Sequence, residues 1–206
     1  MEPISPQEFL AQPLRVHSFL EGVDLHDVWA LDLPAAREGI TLQKFFQSTK
    51  KGTSLKKISW PARALFGLRI ALGRIFGWDK ERKNAPRVSF SDRLTEEDRQ
   101  RSSVPAGTAD GFFRVIYSFE NEILSEAANR TVHAATLFAL IPAERAYRLY
   151  FAVYVQRMSW ITPVYMALIG PFRKWIVYPA IFRQIQQSWV EAFGSGGAPG
   201  GQTKGR

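Results

Sequence analysis

The run "AERAYRLYFAVYVQR" (Ala143 to Arg157) sets the period of this chain before any other feature does. Tyr147, Leu149, Phe151, Val153 and Val155 alternate with Arg148, Tyr150, Ala152 and Tyr154. An apolar period of two puts the first set on one face of a β-strand. A helix would scatter the same residues around its axis. The run therefore calls for a sheet, and the sheet needs something to cover an aromatic face.

Neighbouring stretches supply the other strands. In "GFFRVIYSFENEILSEA", Phe113, Val115, Tyr117 and Phe119 share a face, with Arg114 and Ser118 opposite and Glu120 and Asn121 as the hairpin turn. "RTVHAATLFALIP" reads as a further strand. "VDLHDVWALDLP" reads as an early one, carrying Val28 and Leu31 and ended by Pro34. "ITLQKFFQ" is a short helix. "PARALFGLRIALGRIFGW" is a clearer helix, with Pro61 at its first position and a stripe of Leu65, Leu68, Leu72 and Ile75. Residues 80–111 are charged and punctuated by Pro86, Pro105 and Gly107, and are expected to be loop. The closing "GSGGAPGGQTKGR" is Gly-rich, and disorder is expected there.

"SWITPVYMALIGPFRKWIVYPAIFRQ" (Ser159 to Gln184) must cover the sheet. From Met158 to Phe172 fifteen residues carry no charge, short of the roughly 20 that a spanning helix needs. Ile161, Tyr165, Leu168, Phe172, Trp175, Pro179, Phe182 and Trp189 recur at helical steps, while Arg173 and Lys174 fall off that stripe. The spacing predicts a long amphipathic helix, broken at Gly170 with Pro171 opening a second segment, and kinked again at Pro179. It predicts Phe172, Trp175 and Phe182 buried on the sheet and Lys174 exposed. The expected fold is α+β with helix-grip architecture: a curved antiparallel sheet wrapped on a long bent C-terminal helix. Residues 1–13 form an N-terminal segment, 14–193 a single domain, and 194–206 a disordered tail.

Composition narrows the function. The absence of cysteine excludes disulfides, a thiolate nucleophile and cysteine-ligated metal. The start, "MEPISPQEFLAQPLRV", lacks the continuous apolar core of a secretory signal, so a cytoplasmic location is expected, with contact to the inner face of the membrane. Net charge is +8, and Lys50 to Arg101 holds all of it, with fourteen Lys or Arg against six Asp or Glu. Within that span Lys50, Lys51, Lys56 and Lys57 precede Trp60, a pattern suited to an anionic membrane surface. A solvated loop is the alternative. Nucleic acid is disfavoured, because no groove-reading helix motif or aromatic stacking platform is evident.

No catalytic or metal-ligating set emerges, and no cofactor is expected. His17, His26 and His133 lack metal-ligand spacing, and His133 is expected to be a hydrogen-bonded structural residue. There is no G-x-S-x-G, phosphate loop or G-x-G-x-x-G. Arg114 and Arg148 sit opposite the aromatic face, either as surface cations or, if turned inward, as forks for a ligand carboxylate. Glu120, Glu122 and Glu126 are expected to be exposed turn charges.

The run "YMALIGPFRKWIVYPAIFRQ" after a strong strand, with "WPARALFGLRIALGRIFGW" upstream, resembles a bacterial family catalogued as domain of unknown function 2867. The resemblance covers roughly Val16 to Phe193. Members often carry Pro-Phe-His near the centre of the last helix; here Pro171 and Phe172 match and the third position is Arg173. The family is similar to the START/Bet v 1-like (SRPBCC) helix-grip superfamily. That implies binding of hydrophobic ligands such as lipids, sterols or polyketides, while some branches are cyclases or hydratases. The expected function is thus binding of a hydrophobic small molecule or lipid in a cavity between sheet and C-terminal helix, at a membrane surface. A cyclase- or hydratase-like enzyme using the same cavity and a non-catalytic interaction module are the alternatives. The expected lining is Phe113, Tyr117, Tyr147, Phe151, Phe172 and Trp175, with Arg114 and Arg148 as anchors.

Overall fold

The computed structural model describes residues 1–34, 38–50, 89–111, 113–128, 132–143, 146–158 and 162–194. The helix expected from Pro61 and the Gly-rich tail beyond residue 194 lie outside them. So do Lys51, Lys56, Lys57 and Trp60, and Lys50 enters only as the last backbone position of a helix.

The elements run β1 (Glu2–Pro3), α1 (Pro6–Leu10), α2 (Arg15–Phe19), β2 (Asp24–Pro34), α3 (Leu42–Lys50) and a 3-10 helix (Phe90–Arg93). There follow α4 (Glu96–Arg101), β3 (Ala109–Asp110), β4 (Phe113–Ser118), β5 (Glu122–Ala128), β6 (Val132–Ala143) and β7 (Ala146–Arg157). The chain closes with α5 (Thr162–Phe172), a π-turn (Arg173–Val177) and α6 (Tyr178–Phe193). All strand pairs are antiparallel, in the order β1-β2-β7-β6-β5-β4-β3. The α+β class, the meander and the long C-terminal helix are as the sequence indicates.

The period of two in β7 is real, but both of its faces are buried. Tyr147, Leu149, Phe151, Val153 and Val155 lie under α3 and α6. Tyr150, Ala152 and Tyr154 lie in a second core with Phe9, Val16, Phe19 and Phe90. The sheet is therefore sandwiched between the C-terminal helix and a layer of short helices, so the face that carries Arg148 is covered. Residues 1–13 belong to that second layer: β1 pairs with β2, and Phe9 is fully buried.

Short helices leave N-terminal N–H groups that need acceptors, and buried carboxylates supply them. Glu122 accepts from Arg15 N and Val16 N, each at 2.9 Å, and from the Tyr117 hydroxyl. Glu126 accepts from Phe90 N at 2.9 Å, from the Ser89 hydroxyl, and pairs with His133 Nε2 at 2.8 Å. Both glutamates are buried, which corrects their reading as exposed turn charges; only Glu120 is exposed. His133 is 1% exposed, stacked on Phe90 and bonded to Glu126, the structural role expected of it. Two stretches within residues 80–111 are helical rather than loop, each opened by a capping box, Ser89 with Asp92 and Thr95 with Asp98.

A register shift between Val115 and Tyr117 also moves one expected residue. Val115 pairs with Ser125, yet Tyr117 pairs with Leu124, so a bulge inserts one extra residue. Tyr117 thereby joins the short-helix core beside Phe19 and Phe119 instead of sharing a face with Phe113 and Val115.

Candidate functional site

The C-terminal helix is continuous through Pro171, which lies inside α5. Pro171 has no N–H to donate and its ring crowds the preceding turn. The helix widens just beyond it: Tyr178 N–H bonds to Arg173 O, five residues back, and Pro179 falls in the first turn of α6. This π-turn replaces the break expected at Gly170. π-Turns concentrate at functional sites, and this one changes which residues face the sheet.

One extra residue advances the helical phase by about 100°. The inward stripe runs Met166, Ile169, Arg173, then a step of five to Tyr178, followed by Phe182, Ile185 and Trp189. Phe182 is 3% exposed, as expected. Phe172 and Trp175, expected inside, are 43% and 78% exposed. Spacing alone assumes a regular α-helix back from Phe182, and the π-turn swings both aromatics outward.

The same rotation carries Arg173 inward onto Asp27. Its Nη2 lies 2.7 Å from Asp27 Oδ2, the Tyr178 hydroxyl donates to that oxygen at 2.9 Å, and Lys174 Nζ lies 3.4 Å from Oδ1. Asp27 follows a bulge at His26 in β2, and its side chain is 4% exposed. Burial pushes the Tyr178 phenol well up, so it stays protonated and donates. Burial lowers His26, despite the pull of Asp27. Two cations thus serve one carboxylate, and Lys174 is the looser, with its side chain 49% exposed, as expected.

A cleft of about 200 Å³ adjoins this node. Pro3, Ile4 and Pro6 form one side, and Leu25, Val28 and Trp29 of β2 form another. His26, Asp27 and Lys174 are its polar members.

Between α6 and the sheet, at the positions expected to line a cavity, aromatic rings fill the space. Phe151 packs on Phe138, Tyr178 and Phe182 with ring centres 5.0–5.7 Å apart. Tyr147 lies 5.4 Å from Trp189, and its hydroxyl accepts from Ile40 N at 3.0 Å. Tyr117 is on the other face of the sheet, and Phe113 is half-buried on the strand beside the β3 edge. The structure does not gather these residues with Phe172 and Trp175 into one lining.

Arg148 is neither a free surface cation nor an open fork. Its Nη1 holds Asp32 at 2.8 Å, and its Nη2 holds Glu2 and Glu8, each at 3.0 Å, so it fastens β1 and α1 to the sheet. Arg114 is exposed and donates to Gly107 O at 3.2 Å. Among the described residues no three His, Asp or Glu are placed to hold a metal ion, and no helix is long and apolar enough to cross a membrane.

Residues 19–180 match the family model described as "Protein of unknown function (DUF2867)". No curated protein and no solved structure matches the chain. The chain belongs to the DUF2867 family.

Proposed function

We propose that this DUF2867 protein handles lipid or another hydrophobic molecule at an anionic membrane surface, which it meets with the outer face of the α5–α6 layer. In this reading the fold is a helix-grip of the START/Bet v 1 kind, and the contact is with the inner, cytoplasmic leaflet.

One observation carries the reading. From Thr162 to Val190 there are three cations, Arg173, Lys174 and Arg183, and no Asp or Glu, and the same layer exposes Phe172 and Trp175. The exposed run around them includes Pro163, Ala167 and Pro171. A tryptophan beside a lysine on a helical stretch without acidic residues is the composition of an interfacial element, with rings at headgroup level and ammoniums on phosphates. Arg173 and Lys174 both lie on Asp27, Arg173 the closer and less exposed, so the cations that reach headgroups are Arg183 and the looser Lys174. At about 1 kcal/mol per cation and about 2 kcal/mol per ring buried, docking is reversible and weakened by salt.

The test is sedimentation with vesicles. Wild-type protein is expected to pellet with phosphatidylglycerol-containing vesicles, less with pure phosphatidylcholine, and less as salt rises. Phe172→Ala combined with Trp175→Ala should abolish binding without lowering the melting temperature. Vesicle binding unchanged in that variant, or none with wild type, would overturn the reading. So would a wild-type dimer that the variant dissolves, because the face would then belong to a second copy of the chain.

A further inference from the structure

We propose that the cleft beside β2 is an anchoring site for a single negative charge on a small amphiphile, such as the carboxylate end of a short acyl chain, with Lys174 as its counter-ion. This rests on the reading that the α5–α6 layer meets hydrophobic molecules, and it names the kind of molecule taken there.

The argument starts from charge. Asp27 carries one negative charge, and Arg173 and Lys174 bring two positive ones within 4 Å. Arg173 sits at the shorter distance, 2.7 Å, with its side chain 16% exposed and its guanidinium over the Tyr178 ring. It is fixed. Lys174 is held at 3.4 Å from Asp27 Oδ1 and its side chain is 49% exposed, so the node's surplus positive charge resides on its more exposed cation. That ammonium lines the cleft. His26, also in the lining, adds no charge, because burial favours its neutral form.

The rest of the lining suits a hydrocarbon. Pro3, Ile4, Pro6, Leu25, Val28 and Trp29 offer apolar surface around the Asp27–Lys174 pair, and Arg173, outside the lining, makes the node net positive. A mostly apolar concavity with a few placed polar groups is the form of a small-molecule site. At about 200 Å³ the cleft is smaller than the 300–1,000 Å³ that encloses drug-sized ligands, so it suits a short chain or the end of a longer one.

The probe is sodium octanoate, followed by backbone amide NMR shifts in uniformly labelled protein. Octanoate is expected to move the amides of Leu25–Trp29 and Ile4 saturably, whereas octyltrimethylammonium and octanol should move them little. Lys174→Ala should weaken octanoate roughly ten-fold, the worth of one charge-assisted contact, and Lys174→Arg should restore most of it. Equal responses to the three amphiphiles, or unchanged octanoate affinity in Lys174→Ala with a well-dispersed spectrum, would overturn the proposal. Trp175→Ala keeps the two readings apart. Loss of vesicle binding with octanoate retained supports the anchor by itself. Vesicle binding with no octanoate response in the cleft defeats the anchor and leaves the surface reading standing.

Discussion

Replacing Arg173 and Trp175 separately by alanine tests the phase of the C-terminal helix. Regular helical spacing puts Trp175 against the sheet and Arg173 in water; the π-turn reverses them. Arg173→Ala would leave the Asp27 carboxylate, 4% exposed, with the Tyr178 hydroxyl at 2.9 Å and the more distant Lys174. Removing one partner of a buried ion pair costs about 3 kcal/mol or more, chiefly through the charge left behind. For a chain of 206 residues each kcal/mol shifts the melting temperature by about 2–4 °C, so a fall of roughly 6–12 °C is expected. Trp175 is 78% exposed, and its truncation should change stability by no more than about 0.5 kcal/mol, or roughly 2 °C. Thermal melts by far-ultraviolet circular dichroism, checked by urea midpoints, give both numbers. In a double-mutant cycle, Asp27→Asn with Arg173→Ala should lose clearly less than the sum of the two single changes. A larger fall for Trp175→Ala than for Arg173→Ala would refute the π-turn and return the helix to regular phase.

Two further outcomes follow from the packing and the buried charges. Phe182→Ala removes a ring that is 3% exposed and packed on Phe151, and should cost about 3–5 kcal/mol in urea unfolding. The hydrogen bonds from Arg15, at 3.0 and 2.8 Å, hold the Asp98 carboxyl down to about 2, against an ordinary 3.8. A folded-state value below the unfolded one adds stability that is full above the unfolded value and disappears as pH falls through the folded one. Urea midpoints should therefore drop between pH 4 and 2 by an amount worth about 2 kcal/mol, and Arg15→Met should flatten that part of the pH profile.

Much of the sheet is legible in the sequence, because period two in β7 and the Glu120–Asn121 turn are local signals. So was burial of the reverse face. Along β7 only Arg148 interrupts an apolar run from Tyr147 to Val155, and near-continuous apolar strands are covered on both sides. The capping boxes Ser89-x-x-Asp92 and Thr95-x-x-Asp98 were also readable, but the surrounding charge favoured a loop reading. Other features leave no local mark. A bulge shifts Tyr117 to the far face without altering the pattern around it. The π-turn is hinted at only by Pro171 and Pro179, and either proline is equally compatible with a break. The Asp27–Arg173 pair joins residues 146 positions apart, which a single sequence cannot connect.

Quenching of tryptophan emission by brominated phosphatidylglycerol vesicles tests the central claim most directly, because bromine quenches only rings that enter the bilayer. The chain has six tryptophans, so the comparison is between wild type and Trp175→Phe, which retains an apolar ring for binding. The account predicts quenching of wild-type emission on vesicle addition, and loss of that quenching in Trp175→Phe while the protein still sediments with the vesicles. Quenching that persists undiminished in Trp175→Phe would place another part of the molecule on the membrane and contradict the assignment of the α5–α6 face.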